Sequence, residues 1–243
     1  MCGRYVTPDE ASMERRWHIG ARNVGKWIRT GFNVAPTRQV PLVLLNDDGQ
    51  QEVVSGRWGL IPHWWKQRKP PGLSFNARSE EAATKPMWRD ALRRQRCLMP
   101  AAGWYEWNER EQVRNRAGKI VNQPYYHHAA NDEVLAIAGL WSTWIGPEGQ
   151  EVLSCALITK EAAGPVAAVH HRMPVILAPE QYDLWLSTST SVDQVHGAIK
   201  LSREDFEAYP VRPEVGDVKN DYPELVRRIV VEPIDMEIRK WKS

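Results

Sequence analysis

The feature that most restricts the possible folds of this chain is a succession of short segments rich in β-branched and aromatic residues. Polar turn sequences separate several of them, such as Asn-Asp-Asp-Gly at 46–49 and Gly-Pro-Glu-Gly at 146–149. Such segments are typical of β-strands, and Gly, Pro, Asn and Asp are the residues that tight turns need. The pattern predicts strands at 40–46, 52–61, 97–107, 124–129, 134–144, 151–159, 175–177 and 228–234.

Helix-start signals interrupt these strands. Thr7 is a favourable N-cap residue, Pro8 suits the first helical position and Glu10 completes a capping box. These residues predict a helix that runs to about Trp17. Two further helices are expected to begin at 85–86 (Lys-Pro) and at Pro179.

Composition limits the class of protein. The 243 residues, of which 42% are hydrophobic and 26% charged, are enough for a sizeable core. No repeat or linker is visible, so the sequence predicts one α+β domain over residues 1–243, with mostly antiparallel sheets. A net charge of only +2 means that any binding of nucleic acid needs a local basic patch.

Targeting signals and metal motifs are not found in the sequence. It contains no secretory signal and no run of apolar residues long enough to span a membrane, so we expect a cytoplasmic protein. The three cysteines, Cys2, Cys97 and Cys155, are too few and too scattered for a disulfide framework or a zinc site. We predict no metal and no cofactor.

The second residue of the chain is a cysteine. If Met1 is removed, Cys2 carries an α-amine and a thiol on neighbouring carbons. An α-amine titrates near pH 8, so roughly a tenth of it is a neutral nucleophile at pH 7. With an aldehyde it would form an imine that the thiol closes to a thiazolidine. Class II glutamine amidotransferases also begin Met-Cys-Gly, and a frayed chain end is the simplest alternative, so this motif alone leaves the chemistry open.

Three further segments hold candidate catalytic groups. Asn76 and Arg78 are two residues apart and would face the same side of an extended chain, although a loop with a surface arginine is the simpler reading. Glu106 lies between Trp104 and Trp107, where burial would raise its pKa, unless it faces solvent. His170 precedes His171; on extended backbone only one of the two could enter a given site, and a lone histidine is more often structural.

Tryptophans stand beside cations at 64–69 (Trp-Trp-Lys-Gln-Arg-Lys). This combination is typical of single-stranded nucleic acid binding, because bases stack on aromatic rings while cations follow the phosphates. The chain has 12 tryptophans, so packing of either Trp64 or Trp65 on the core is an equally ordinary explanation.

Taken together, these segments resemble the SRAP family, the abasic-site processing proteins once called SOS-response-associated peptidases. The motifs occur in the family's order and span most of the chain. They are MCGRY at 1–5, NVAP at 33–36, WGLIP at 58–62 followed by the tryptophans at 64–65, NARSE at 76–80, RC at 96–97, GWYEW at 103–107, AGLW at 138–141, HHRMP at 170–174 and VKN at 218–220.

The resemblance implies a fold and a reaction. It implies a barrel-like core with flanking helices, and a thiazolidine link between Cys2 and the ring-opened sugar of an abasic site in single-stranded DNA. Asn76 would hold the linked sugar, Glu106 would move protons during imine formation and ring closure, and His170 would assist sugar ring opening, reversal or strand-cleaving β-elimination. DNA contacts are implied for Arg4, Asn33, Pro36, Trp64, Trp65, Arg78, Thr159 and Arg172.

The same resemblance implies that the partner is single-stranded DNA with abasic sites, including single-strand to duplex junctions. Separately from the resemblance, we expect the chain to act as a monomer. The family's name adds a possible autoproteolytic activity. Two other functions are kept as alternatives, an N-terminal-nucleophile amide hydrolase and a non-catalytic single-strand binding module. The sequence departs from the family pattern at His171 and in the long basic segment 109–122, which we expect to be a loop.

Overall fold

A computed structural model describes residues 2–17, 31–72 and 74–231. The helices are α1 (Glu10–Trp17), α2 (Ser79–Ala82), α3 (Arg89–Arg94), α4 (Tyr182–Leu186) and α5 (Val192–Lys200). The strands are β1 (Tyr5–Val6), β2 (Gln39–Leu45), β3 (Gln51–Trp58), β4 (Asn76–Arg78), β5 (Arg96–Ala101), β6 (Gly103–Arg114), β7 (Ile120–Ala129), β8 (Leu135–Ile145), β9 (Glu151–Glu161), β10 (Arg172–Pro174), β11 (Ile176–Leu177) and β12 (Phe206–Pro210).

Five strands close into a barrel. In order they are β9, β3, β2, β5 and β8, and β8 pairs back with β9 to complete the ring. Four of the five pairings are antiparallel, and the β3–β9 pairing is parallel. The short strand β4 also runs parallel to β9. A second, antiparallel sheet has the order β1-β6-β7-β12. The predicted α+β class, with mostly antiparallel sheets and a barrel-like core, is confirmed.

Two large apolar clusters fill the interior. Helices α1, α3, α4 and α5 bury residues such as Met13 and Trp185 against the barrel. The second cluster joins the four-stranded sheet to the barrel, where Tyr5 and Trp104 meet Met99 and Leu157. Cys2 belongs to this second cluster, so the start of the chain lies where the two sheets meet.

The structure corrects several predicted boundaries. Thr7 does not cap α1, because its hydroxyl is hydrogen-bonded to the backbone of Gly31; Asp9 accepts the Ser12 N–H at 2.8 Å instead. The second predicted helix begins at Arg89 rather than at 85–86, and the third begins at Pro179 as a 3₁₀ turn that continues into α4.

The strand predictions need similar corrections. The strand predicted at 97–107 is two strands of different sheets, and the strand predicted at 52–61 ends at Trp58 because Gly59 has a φ of +133°. Of the strand predicted at 228–234, residues 228–231 are not extended into a sheet and the others lie outside the described residues. Strands β4, β10 and β12 and helices α2 and α5 lie outside the predicted elements, and β4 replaces the loop that was the simpler reading of 76–78.

The prediction that residues 109–122 form a loop is wrong. The polypeptide continues as a β-hairpin of β6 and β7, closed by a turn in which Asn115 Oδ1 accepts the backbone N–H groups of Ala117 and Lys119 at 3.0 Å. Gly118, with a φ of +74°, allows that turn. Among the described residues, no helix is both long and apolar enough to cross a membrane.

Candidate active site between the two sheets

The first strand fixes Cys2 in the interior. Tyr5 pairs with Trp104 of β6 and exchanges backbone hydrogen bonds of 3.1 and 2.9 Å with Val34. The Cys2 side chain is fully buried, and its Sγ lies 4.0 Å from the carbonyl oxygen of Arg4. Burial, and then the negative charge of Glu106, raise the pKa of the Cys2 thiol well above its usual value. The sulfur is therefore held as a thiol at neutral pH.

Asn76 reaches Cys2 from the barrel. It lies on β4, which follows the edge of β9 with Asn76 opposite Leu157. The Asn76 Nδ2 donates a 2.8 Å hydrogen bond to the Cys2 carbonyl oxygen. Its Oδ1 is buried and has no hydrogen-bond partner among the described residues. A buried amide oxygen of this kind is normally satisfied, so it is available to accept a hydrogen bond from a bound group.

Glu106 and His170 lie close to each other, and Glu106 also lies near Cys2. Glu106 lies on β6 and is 2% exposed, and burial raises its pKa to about 8. At pH 7 it is largely protonated and can donate a proton. The Nδ1 atom of His170 lies 3.8 Å from Glu106 Oε2, and burial lowers the pKa of His170. That Nδ1 also lies 3.0 Å from both the backbone N–H and the carbonyl oxygen of Arg172, which fix the ring.

The two adjacent histidines are not on opposite faces. Their ring centroids are 4.4 Å apart, and both rings line a cavity of about 270 Å³. The expectation that they point to opposite faces is wrong, because His170 and His171 precede β10 on a bend rather than on extended backbone. His127 and His128 do follow the rule for a strand: His127 stacks on Trp104 and His128 on Tyr126, on opposite faces of β7.

Arg172 is held by protein groups. Its guanidinium makes a bidentate pair with Glu80, at 2.7 and 3.0 Å, and donates to the Thr159 carbonyl oxygen at 2.8 Å and to Thr159 Oγ1 at 3.3 Å. Arg172 is 9% exposed and Thr159 is fully buried. Both residues therefore link β9 and β10 to α2. Sequence reasoning assigned no role to Glu80; its only signal was its place within the NARSE motif.

Arg4 and Asn33 clamp a distant part of the chain. Arg4 Nη1 donates to Asn33 Oδ1 at 2.8 Å and to the Val215 carbonyl oxygen at 2.6 Å. The Asn33 amide donates to the carbonyl oxygens of Val215, Asp217 and Asn220, at 2.8 to 3.2 Å. Asn33 is buried, whereas Pro36 lies half-buried a few residues beyond it.

The remaining predicted DNA contacts are at the surface. Trp64 is 38% exposed, and its ring centroid is 6.0 Å from that of Trp65, which is half-buried and donates its Nε1–H to the Lys69 carbonyl oxygen at 2.9 Å. Arg78, the last residue of β4, is exposed and has no ion pair among the described residues. Trp64 and Arg78 are free to meet a ligand.

These groups form a candidate acid–base site around Cys2. Cys2, Asn76, Glu106 and His170 come from four separate segments and supply a thiol, an amide oxygen, a protonated carboxyl group and an imidazole. Among the described residues, no group of three or more His, Cys, Asp or Glu side chains is placed to hold a metal ion.

The chain is thus an α+β protein in which Cys2 is buried where the barrel meets the second sheet. The family model described as SOS response associated peptidase (SRAP) matches residues 1–218, and the chain belongs to that family. The resemblance seen in the sequence is thereby confirmed.

Individual relatives agree with this assignment. The chain is 32% identical over 233 residues to the abasic site processing protein YoqW of Bacillus subtilis, covering 93% of this chain and 99% of YoqW. It is 31% identical to the abasic site processing protein HMCES of Gallus gallus, covering 93% of this chain and 77% of HMCES. A crystal structure of a protein from Bacteroides thetaiotaomicron has the same fold, with a TM-score of 0.76 at 23% identity, covering 94% of this chain and 99% of that one.

Proposed function

We propose that the chain, once Met1 is removed, captures abasic sites in single-stranded DNA through a thiazolidine at Cys2. The observation that carries the proposal is the placement of Cys2: its carbonyl oxygen is bonded to Asn76 at 2.8 Å, and its thiol is close enough to Glu106 for that carboxylate to raise the thiol pKa. The names of YoqW and HMCES, which refer to abasic sites, support the choice of substrate.

The reaction begins at the amine. The ring-opened sugar offers an aldehyde carbon, C1′, and the Cys2 α-amine adds to it to give a carbinolamine. Glu106, protonated below about pH 8, donates a proton to the departing hydroxyl, so that water leaves and an imine remains. The Cys2 sulfur then bonds to C1′ and its proton passes to the imine nitrogen, with Glu106 as the carrier. The net change is the loss of one water molecule.

His170 and Asn76 act on the sugar. Opening of the hemiacetal needs a base for the C1′ hydroxyl proton and an acid for the ring oxygen, and a largely neutral His170 beside a protonated Glu106 supplies both. The buried Oδ1 of Asn76 accepts a hydrogen bond from the opened sugar. While the imine persists, a base near C2′ could also remove a proton there and expel the 3′ phosphate by β-elimination, which is the lyase activity of the proposal.

DNA would reach the site over Trp64 and Arg78. A base next to the lesion can stack on Trp64, and the Arg78 guanidinium can pair with a phosphate. An exposed aromatic ring next to a gap in base pairing also suits a junction between single strand and duplex. In this arrangement Asn33, Thr159 and Arg172 are buried and support the site from within, while the half-buried Arg4 lies closer to the surface.

The amide-hydrolase alternative fits the electrostatics less well. Attack on an amide, whether of glutamine or of a leader peptide, needs a thiolate, and cysteines that perform it have a lowered pKa. Burial instead raises the pKa of the Cys2 thiol. The imine route starts from the amine and uses sulfur only for ring closure. Removal of Met1 by an ordinary methionine aminopeptidase is sufficient to start it.

Intact mass spectrometry tests the proposal. Purified protein is measured before and after incubation with single-stranded DNA that contains one abasic site. The expected product has lost Met1, has gained the DNA mass less one water and survives heating without a reducing agent. Cys2→Ala should give no such product, Cys2→Ser should give only a labile imine, and Cys155→Ala, which alters another buried cysteine, should react normally. A heat-stable adduct in Cys2→Ala would refute the mechanism, and salt-dependent binding without any adduct would favour a simple binding module.

A further inference from the structure

The cavity beside His170 is built by an irregularity in β6. The register of β6 with β7 passes from Asn108 opposite Gln123 directly to Gln112 opposite Asn122. Residues 109–111 are therefore extra on β6 and form a bulge, a device that redirects side chains next to functional sites. The cavity, of about 270 Å³, is lined on one side by Asn108, Glu109 and Arg110, and on the other by residues 167–171.

The bulge is held by its own hydrogen bonds. Asn108 is 5% exposed, and its Oδ1 accepts the backbone N–H of Arg110 at 3.0 Å. Glu111 accepts the Tyr125 hydroxyl at 2.6 Å, which fixes the other end of the bulge on β7. Arg110 is thus presented at a defined place on the cavity wall. Its guanidinium has no ion pair or hydrogen bond among the described residues, in contrast to those of Arg4 and Arg172.

We propose that Arg110 and His171 form a subsite for one of the two phosphodiester groups attached to the abasic sugar. The proposal rests on the function proposed above. His170, which would act on the sugar, lines the same cavity, so a phosphate bonded to that sugar would lie beside Arg110 and His171. The volume equals roughly nine water molecules of about 30 Å³ each, which is enough for a phosphodiester. The free guanidinium can form a bidentate, charge-assisted pair with it.

Glu109 limits the charge that this subsite accepts. Its carboxylate lines the same cavity, and its negative charge partly offsets the lowering of the His170 pKa by burial. One arginine opposed by one glutamate suits a phosphodiester with a single negative charge and disfavours a free phosphate dianion. The Glu109→Gln variant should therefore increase the rate with DNA, the reverse of the effect expected for Arg110→Gln.

The test compares two substrates that present the same aldehyde. One is single-stranded DNA with one abasic site, and the other is free 2-deoxyribose, which has no phosphate. Arg110→Gln should lower the second-order rate constant of adduct formation with DNA by about 10-fold. The slope of the logarithm of that rate constant against the logarithm of the salt concentration should become shallower by about 0.7, the value for one phosphate contact of a single strand. Its rate with 2-deoxyribose should equal that of the wild type.

Matched variants complete the design. Arg110→Lys should regain part of the rate, His171→Gln should show a smaller loss confined to DNA, and Arg94→Gln, an exposed arginine on α3, should behave as the wild type. Equal rates for Arg110→Gln and the wild type on DNA would overturn the subsite, and so would an equal loss with 2-deoxyribose. If the wild type forms no adduct with either substrate, the proposed function itself fails.

Discussion

At the scale of single residues, the buried Glu106 bears on both the proposed chemistry and the stability. It is 2% exposed, next to Cys2 and 3.8 Å from His170, and its pKa is raised to about 8. The strand position that gives it these neighbours also makes its ionisation costly. The same residue is therefore protonated at neutral pH, as the proposed acid must be, and it weakens the folded state where it would ionise.

Replacement of Glu106 by Gln should slow adduct formation by about 10² or more, because a positioned general acid contributes roughly 10²–10⁴ to a rate. In the wild type the step that needs the acid should slow as pH rises through about 8, where the carboxyl group ionises. The variant should lack this limb of the pH profile. A profile unchanged by Glu106→Gln would assign the proton transfers to another group.

The same variant makes a prediction about stability. The carboxyl group titrates near 4.3 in an unfolded chain and near 8 in the folded one. Below pH 4 it is protonated in both states; as pH rises from about 4 to about 8, only the unfolded state loses the proton, so the wild type is progressively destabilised. In a chain of this size, each 1 kcal/mol of unfolding free energy changes the melting temperature by about 2–4 °C. Glu106→Gln should therefore melt higher than the wild type by at least that amount at pH 8, and should melt at the same temperature at pH 4. Thermal unfolding monitored by circular dichroism measures both.

At the scale of elements, the arginines that the sequence grouped as phosphate contacts separate into two kinds. Arg78 is the last residue of β4, and its side chain is exposed. Arg172 is the first residue of β10, and its guanidinium pairs with Glu80 and donates a hydrogen bond to Thr159. The first can bind DNA without disturbing the fold. The second joins three elements and positions His170, whose ring is bonded to the backbone of Arg172.

Arg78→Gln and Arg172→Gln should therefore fail in different ways. Arg78→Gln should weaken DNA binding, and the slope of log K against the logarithm of the salt concentration should become shallower by about 0.7. Its melting temperature should be unchanged. Arg172→Gln leaves Glu80 without its partner and buries an amide, so it should lower the melting temperature and also the rate with 2-deoxyribose. Fluorescence anisotropy over a salt series and thermal melting distinguish the two. Equal losses of salt dependence in both variants would show that Arg172 contacts phosphate after all.

At the scale of the whole molecule, β9 is the strand on which the site depends. It closes the barrel against β3 and β8, and it also carries β4 and β10, which bring Asn76 and the His170 segment into place. Leu157, fully buried on β9, lies opposite both Asn76 and Gly139. Damage to this strand should affect stability and chemistry together.

Leu157→Ala should cost about 2–5 kcal/mol of unfolding free energy, since it leaves a cavity in a closed barrel. Because β4 depends on the same pairing, the rate of adduct formation should fall at temperatures well below the melting point. Ile145→Ala, at a position that is 67% exposed, is the control and should change stability by less than about 0.5 kcal/mol. Urea unfolding gives the free energies. A destabilised Leu157→Ala with a normal rate would separate the barrel from the site.

Much of the fold is present in local sequence pattern. The turns at 46–49 and 146–149 lie between real strands, and α1 extends to Trp17, the last described residue of its segment. Local pattern failed where a distant partner decides the outcome. The segment 97–107 reads as one strand, but Ala102 is a bend that passes the chain from the barrel to the second sheet. Strand β12 has only five residues, among them Glu207 and Pro210, and it forms because β7 offers it an edge.

For the site, the sequence alone determined the chemical groups: a cysteine second in the chain, an asparagine two residues before an arginine, a glutamate between tryptophans and a histidine before β10. Only the tertiary structure decided which of them act together. In the folded chain Asn76 is hydrogen-bonded to Cys2, and burial raises the pKa of Glu106. Arg172 is paired with Glu80, whereas Arg78 is exposed. Hydrogen bonding and desolvation depend on groups far apart in the chain, so no local pattern contains them. The residue types follow from the sequence, and their ionisation and exposure follow from the packing of two sheets.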